Sequence, residues 1–404
     1  MKRRQFLKTS LLAPAAGAAL GAPPPAAAAA AEKARVTQYR VLGRTGMRIG
    51  DISFGAGQVP SASLVLRAID QGVNYFDTAP DYGQSEAIIG EALAKLGARR
   101  EQVYIASKFC RPVGYEEGVS HLQLGATKAD YKSAVEGSLK RLQTGYLDGV
   151  LVHAIGGVND YEKEKRRLLD EAMLAAFQEL KQEGKVRWLA VSSHGPYHME
   201  RLLTDAVASG HFDYLMPAFN FLKFPKVPEV LRLAKERNVG VVAMKTLAGA
   251  KDAGVAGPQD APFEQAAFKW VLKHPEVAGL VVTMKRVSDL DLFLPASGAP
   301  FAAADQRALD RYAATYGTDY CRTGCSDCEP ACPFGVPVAS ILRYQMYFAD
   351  YGDQKRAMAE YAALGRKADA CLGCAPSPCN AACPHGVPVA AKLHAAHRDL
   401  GTWG

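Results

Sequence analysis

From Ile52 to Val282 the chain alternates short apolar runs with longer amphipathic stretches. Ile52-Ser53-Phe54, Tyr75-Phe76, Val103-Tyr104-Ile105, Leu147–Val152, Val186–Val191, Phe212–Met216, Val239–Met244 and Leu280-Val281-Val282 read as strands. They are short, and many are rich in β-branched and aromatic residues. The stretches after them carry apolar residues at helical spacing. Ser61–Gln71, for example, would turn Leu64, Leu66 and Ile69 inward. Helices are also predicted over Ser85–Lys95, Lys128–Gln143, Leu168–Glu183, Tyr197–Ser209, Val230–Arg237 and Pro262–Lys273. A hairpin comes first: Tyr39–Leu42, a Gly43–Gly46 turn, then Met47–Ile49. Eight strand–helix repeats within about 250 residues predict a (β/α)8 TIM barrel over residues 32–300. The rival, a doubly wound open sheet, usually opens with a glycine-rich phosphate loop, which Gly55-Ala56-Gly57-Gln58-Val59 matches poorly. Past Pro300 the alternation stops, so residues 301–404 read as a second, small and mainly helical domain.

The start of the chain follows neither pattern. Lys2-Arg3-Arg4-Gln5-Phe6-Leu7-Lys8 leads into an apolar run, Leu11–Leu20, and an alanine-rich tract, Ala26–Ala31. Charged start, apolar middle and small-residue end predict a signal peptide over residues 1–31. The apolar run is well short of the roughly 18 to 20 residues of a spanning helix, so no stable membrane span is expected. The paired arginines before Phe-Leu-Lys resemble the twin-arginine (Tat) export signal. That resemblance implies passage through the Tat export machinery to the periplasm, already folded and carrying its cofactors. The formal charge of +7 includes four leader bases, and without them the excess falls to +3. No broad basic face follows, which argues against nucleic acid as a partner.

Candidate chemistry gathers where the strands end. Asp77 closes the second strand, Lys108 the third and His153 the fourth, while Tyr82 lies on the loop after Asp77. In a parallel barrel these positions share one rim, the face that carries chemistry. A carbonyl that accepts hydride becomes an alkoxide and needs a proton from a placed acid. Tyr82 is the candidate acid, Lys108 the cation expected to lower its pKa, and Asp77 the anion holding Lys108. His153 would aim an N–H at the carbonyl oxygen.

Phe76-Asp77-Thr78-Ala79, Tyr82-Gly83, Ser85-Glu86, Ser107-Lys108 and Val152-His153 resemble the aldo/keto reductase family from about Tyr39 to Phe293. The resemblance implies hydride transfer between NADP or NAD and a small carbonyl or alcohol substrate, with Asp77, Tyr82, Lys108 and His153 as the catalytic four. It also points to cofactor contacts at Ser192, Ser193, Met216, Lys245, Thr283, Lys285 and Arg286. Here the sequence departs from the family: Ser193 stands where an Asn is usual, Met216 where many members have Gln, and Leu292-Phe293 where a Glu-Asn pair is usual. Those departures leave the choice between NADP and NAD open. They also keep a second reading in play, a catalytically silent barrel serving as a binding or electron-carrier module. Cys110, beside Lys108, reads as an ordinary thiol, and Glu162–Arg167 as a solvated helix start.

Eight of nine cysteines fall in two related motifs: Cys321, Cys325, Cys328 and Cys332-Pro333, then Cys371, Cys374, Cys379 and Cys383-Pro384. The sequence after each last cysteine repeats, Phe334-Gly335-Val336-Pro337-Val338-Ala339 against His385-Gly386-Val387-Pro388-Val389-Ala390. Paired motifs of this kind serve iron, zinc or disulfides. The duplication resembles the two-cluster bacterial ferredoxin. It implies two [4Fe-4S] clusters, one on Cys321, Cys325, Cys328 and Cys383, the other on Cys371, Cys374, Cys379 and Cys332, with electron transfer to a redox protein partner.

Overall fold

The protein is described here by a computed structural model covering residues 34–401 apart from 115–118, 223–225, 250–253, 255–256 and 258. The leader expected over residues 1–31 lies outside the described residues. A hairpin, β1 (Tyr39–Val41) and β2 (Arg48–Gly50), precedes the alternating elements. These run β3 (Ile52–Gly55), α1 (Ala62–Asp70), β4 (Tyr75–Asp77), α2 (Ser85–Leu93), β5 (Tyr104–Lys108), α3 (Lys128–Arg141) and β6 (Leu147–Val152). They continue as α4 (Tyr161–Leu168), α5 (Glu171–Gln182), β7 (Val186–Ser193), α6 (Met199–Ser209), β8 (Tyr214–Pro217), α7 (Val227–Glu236), β9 (Gly240–Ala243), α8 (Phe263–Leu272), β10 (Gly279–Thr283) and α9 (Val287–Phe293). Strands β3 to β10 pair in parallel and in sequence, and β10 returns to β3 through Leu280↔Ile52 to Thr283↔Gly55, closing the barrel. The (β/α)8 expectation holds.

The hairpin plugs the end where the strands start. Its Leu42, Met47 and Ile49 join the inward-facing Tyr75, Leu151 and Tyr214 in an apolar interior cluster. The larger core lies between strands and helices, with fully buried Phe54, Leu147, Leu189 and Leu280. Local signals fix the helix starts. The Ser61 hydroxyl accepts the Leu64 amide, and Thr127 and Asp130 form a reciprocal capping box on α3. Helix α1 buries Leu64, Val65 and Ala68, while Leu66 and Ile69 stay half-buried, a rotation of its inner face from the one expected.

One segment differs from its expected form. Glu162–Arg167 is not a solvated start to the following helix but most of a separate helix, α4, capped by Asp160, while Asp170 caps α5. Glu164 and Arg167 are buried. A short helix buries charge only when the charges meet, and Arg167 Nη1 lies 3.0 Å from Glu164 Oε2.

Beyond Thr283 the described residues form helices and turns with no strand: α10 (Ala303–Tyr316), α11 (Val338–Ala349), α12 (Gln354–Ala362), α13 (Pro378–Ala382) and α14 (Val389–Leu400) follow α9. From Ala34 onward the chain packs as one unit. Helix α10 lies on α8, with Phe263 and Tyr312 stacked at 4.2 Å. Helix α11 faces the carboxyl ends of the strands, where Arg343 Nη1 donates to His194 Nδ1 at 3.0 Å and to the Gly195 carbonyl at 3.1 Å. Gly195 and Gly324, both at positive φ, meet so closely that a Cβ on Gly195 would stand 2.5 Å from the Gly324 Cα.

Candidate active site

Each rim residue owes its place to a strand end. Asp77 is the last residue of β4, Lys108 the last of β5, and His153 follows β6. Tyr82 comes from the β4–α2 loop, whose Thr78 hydroxyl meets that of Ser85, the first residue of α2, at 2.7 Å while Ser85 donates to the Ala56 carbonyl. Buried Glu86 accepts from Ser107 at 2.6 Å and pairs with Arg141, tying β5 to α2 and α3. The structure brings all four residues together on the floor of a cavity of about 450 Å³ at the barrel mouth.

Lys108 Nζ donates to Asp77 Oδ1 at 2.7 Å and to the Thr78 carbonyl at 2.7 Å. Its ammonium sits over the Tyr82 ring, 4.8 Å from the centroid, a cation–π placement. This corrects the expectation of a depressed phenol. Tyr82 has its pKa raised well above the ordinary value, first by burial and then by the carboxylates of Asp77 and Asp81. The Lys108 charge is already committed to Asp77. Burial raises the Asp77 carboxyl too, and Lys108 offsets that only in part.

His153 Nε2 lies 3.4 Å from the Tyr82 hydroxyl. Burial, with His121 beside it, pushes the imidazole down to about 3, so it is neutral across the physiological range. Behind it Arg167 donates to the His153 carbonyl, and Glu164 accepts the Gly156 amide at 2.7 Å. Thus α4 braces the loop that carries His153.

Of the residues expected to touch a cofactor, Ser192, Met216, Lys245, Thr283 and Lys285 line the cavity. Ser193 and Arg286 do not: the Ser193 hydroxyl donates to the Ile155 carbonyl at 2.8 Å, and the Arg286 side chain, 79% exposed, pairs with Asp289. Reading the sequence missed His194, Arg322, Arg343 and Arg356, which also line it. His194 directly follows the two serines and could have been found there. The arginines belong to a region that announced only its cysteines. Burial and then Arg343 hold the His194 pKa well below the usual range.

None of the nine cysteines is paired in a disulfide. Cys332, Cys371, Cys374 and Cys379 line one small cavity. Cys325, Cys328 and Cys383 act electrostatically on Cys321. Burial first, then Asp327 and Cys383, push Cys325 up to about 11; burial and then Cys383 push Cys328 to about 12; burial and then Cys332 push Cys371 in the other set to about 11. Each set therefore combines three cysteines of one motif with the last cysteine of the other. Sulfurs this crowded resist becoming thiolates unless a cation joins them.

A family model described as the aldo/keto reductase family matches residues 51–254. With a closed parallel barrel and this strand-end site, the chain belongs to the aldo/keto reductase family. Uncharacterized oxidoreductase YrpG of Bacillus subtilis is 30% identical over 227 residues, 52% of this chain and 67% of YrpG. L-galactose dehydrogenase of Arabidopsis thaliana is 28% identical over 52% of this chain and 66% of its own length. The chain thus spans about two thirds of these relatives. The solved structure of PA4992 from Pseudomonas aeruginosa, 26% identical, superposes with a TM-score of 0.53 and covers 69% of this chain and 98% of PA4992.

Proposed function

We propose that this member of the family transfers hydride between NADP or NAD and a small carbonyl or alcohol substrate, and exchanges single electrons with a redox protein partner through two [4Fe-4S] clusters. The observation that carries the reading is the meeting of Asp77, Tyr82, Lys108 and His153 in one cavity. A bound nicotinamide supplies the hydride. Tyr82 gives its proton to the substrate oxygen as negative charge develops there. Its raised pKa keeps that proton in place at every physiological pH. Neutral His153 presents Nε2–H to the same oxygen, and the Asp77–Lys108 pair fixes the cation under the ring. Lys245, Lys285, Arg322, Arg343 and Arg356 line the cavity, a donor set that suits the phosphates of a dinucleotide.

Iron fits the cysteines better than zinc. Tetrahedral zinc would hold its sulfurs about 3.8 Å apart. Among the described residues, the one grouping of metal-ligating atoms within 4.8 Å of one another contains none of the eight. Clusters bound by the two cysteine sets supply one-electron chemistry. The leader resemblance supports export to the periplasm by the Tat machinery, with the nicotinamide travelling bound. No helix among the described residues is long and apolar enough to cross a membrane. Replacing Arg3 and Arg4 by Lys is expected to keep the protein in the cytoplasm, and unchanged periplasmic recovery sinks the export proposal.

Tyr82→Phe tests the chemistry. Carbonyl turnover is expected to fall about 10²- to 10⁴-fold, with iron and labile sulfide unchanged. The alternative, a silent barrel serving as a binding or electron-carrier module, draws on Ser193 and Met216, which offer no side-chain amide to a carboxamide. Reducible clusters without nicotinamide-linked turnover in the unaltered protein would decide for it.

A further inference from the structure

His153 has two ring nitrogens, and the hydride-transfer reading uses only Nε2. Around Nδ1 three further side chains of metal-ligating type converge. Nδ1 lies 3.0 Å from Cys110 Sγ and 3.5 Å from Asp81 Oδ2. His121 Nε2 lies 3.5 Å from the same carboxylate oxygen, and the two imidazole centroids are 4.1 Å apart. One ligand atom from each of Asp81, Cys110, His121 and His153 falls within 4.8 Å of the others, and all four residues are buried. A tetrahedral zinc ion with bonds of about 2.0 to 2.3 Å sets its ligand atoms roughly 3.3 to 3.8 Å apart. The observed spacings straddle that range.

The backbone prepares this convergence. Cys110 and His121 face each other across an antiparallel bridge. Arg111 donates to the Ser120 carbonyl at 2.7 Å and Leu122 to that of Phe109 at 3.2 Å, so a short ladder flanks both residues. Asp81 sits one residue before Tyr82 on a loop already pinned by Thr78 and Ser85. Ser120 Oγ donates to Asp81 Oδ2 at 3.0 Å, the outer-shell support a ligating carboxylate usually has.

Hydrogen bonding alone accounts for the cluster less well. A thiol could donate to Nδ1, and the imidazoles could share Asp81 Oδ2. Yet Asp81 Oδ1 is buried and has no hydrogen-bond partner among the described residues, an arrangement folded proteins rarely leave. One thiolate, one carboxylate and two neutral imidazoles balance a divalent charge and suit a borderline-soft ion. We propose that Asp81, Cys110, His121 and His153 bind one zinc ion or a chemically similar divalent transition ion in the barrel wall beside the active site. Metal at Nδ1 obliges the His153 proton onto Nε2, which faces Tyr82. That consequence rests on the hydride-transfer reading, whereas metal binding does not.

Zinc alone is the probe, added to the full-length, cluster-containing protein and followed by gel filtration and elemental analysis. One zinc per chain is expected to remain, and to be lost in Cys110→Ala and in His121→Ala, with iron content unchanged. Cys110→Ser, close in size, is expected to bind at least tenfold more weakly while keeping the unaltered circular dichroism spectrum. X-ray absorption at the zinc edge of the unaltered protein should show one sulfur among nitrogen and oxygen neighbours. An all-sulfur shell, meaning zinc in the iron cysteines, overturns the proposal even if no variant folds. So does no retained zinc, or equal zinc in His121→Ala. Tyr82→Phe should keep its zinc while losing turnover, so failure of the metal site and failure of the catalytic reading give different results.

Discussion

Lys108 and Tyr82 touch, yet their removal should have very different effects on stability. Lys108 is almost fully buried and is the charge partner of buried Asp77, so Lys108→Met leaves a carboxylate stranded without its cation. Breaking a buried pair from one side costs about 3 to 5 kcal/mol. Tyr82→Phe removes only a hydroxyl 3.4 Å from His153, a contact too long to contribute about 1 kcal/mol. Urea unfolding should separate the two variants by several kcal/mol although both lose turnover. Similar midpoints would mean that Asp77 is not ionised in the fold. His194 supplies a pH test of its own. Its pKa is depressed in the folded state, so its contribution is complete above the unfolded value of about 6.5 and is lost as pH falls below it. As pH falls below about 6.5, stability should drop by up to about 1.4 kcal/mol per pH unit from this one residue until the folded-state imidazole itself takes up a proton. His194→Asn should flatten that slope. An unchanged slope would show that the imidazole facing Arg343 takes up a proton without penalty.

Helix α4 shows how an element with an ordinary polar sequence can serve the site. Arg167 spans the Leu122, His153 and Ala154 carbonyls and pairs with Glu164, whose other contact holds the Gly156 amide. Arg167→Ala should therefore destabilise by about 3 to 5 kcal/mol and lower turnover by displacing His153. Arg166→Ala, in the same turn but exposed, should do neither. Equal effects in chemical denaturation would refute this bracing role. The contrast explains what was legible beforehand. Strands such as Leu147–Val152 are buried along their whole length and read as continuous apolar runs, so barrel and strand-end residues could be placed by counting. Glu164 and Arg167 look like any solvated pair in sequence, because burial comes from the loop before them folding back. His121 was equally silent, since its meeting with Cys110 depends on a bridge between segments that show no strand pattern. The phenol's pKa was misjudged for a related reason: sequence supplied the cation but neither the burial that dominates the shift nor the nearness of the Asp77 and Asp81 carboxylates.

Across the whole molecule, the two cysteine motifs are interlocked rather than placed side by side. Cys383 acts on Cys321 and Cys328, far back in the chain, while Cys332 acts on Cys371 and Cys379. Cys321 also lines the barrel cavity, so the first set adjoins the proposed hydride site and the second lies farther along the α11–α14 unit. For the proposed clusters, single substitutions cannot distinguish crossing from sequential ligation, because either scheme loses one cluster, about half the iron. Pairs can. If ligation crosses, Cys321→Ala with Cys383→Ala strikes one cluster twice, and about half the iron should stay. Cys371→Ala with Cys383→Ala strikes both clusters, and nearly all of it should go. Sequential ligation reverses the two results. Iron and labile sulfide on anaerobically purified protein read the outcome directly, and a four-thiolate zinc site would show neither. If Cys383 belongs to the proposed cluster beside the barrel, its loss should also stop electron transfer to an artificial one-electron acceptor while leaving nicotinamide-linked carbonyl turnover intact. Loss of both activities together would mean that the barrel cavity depends on the cysteine unit for its shape, through Arg343 on His194, rather than for its electrons.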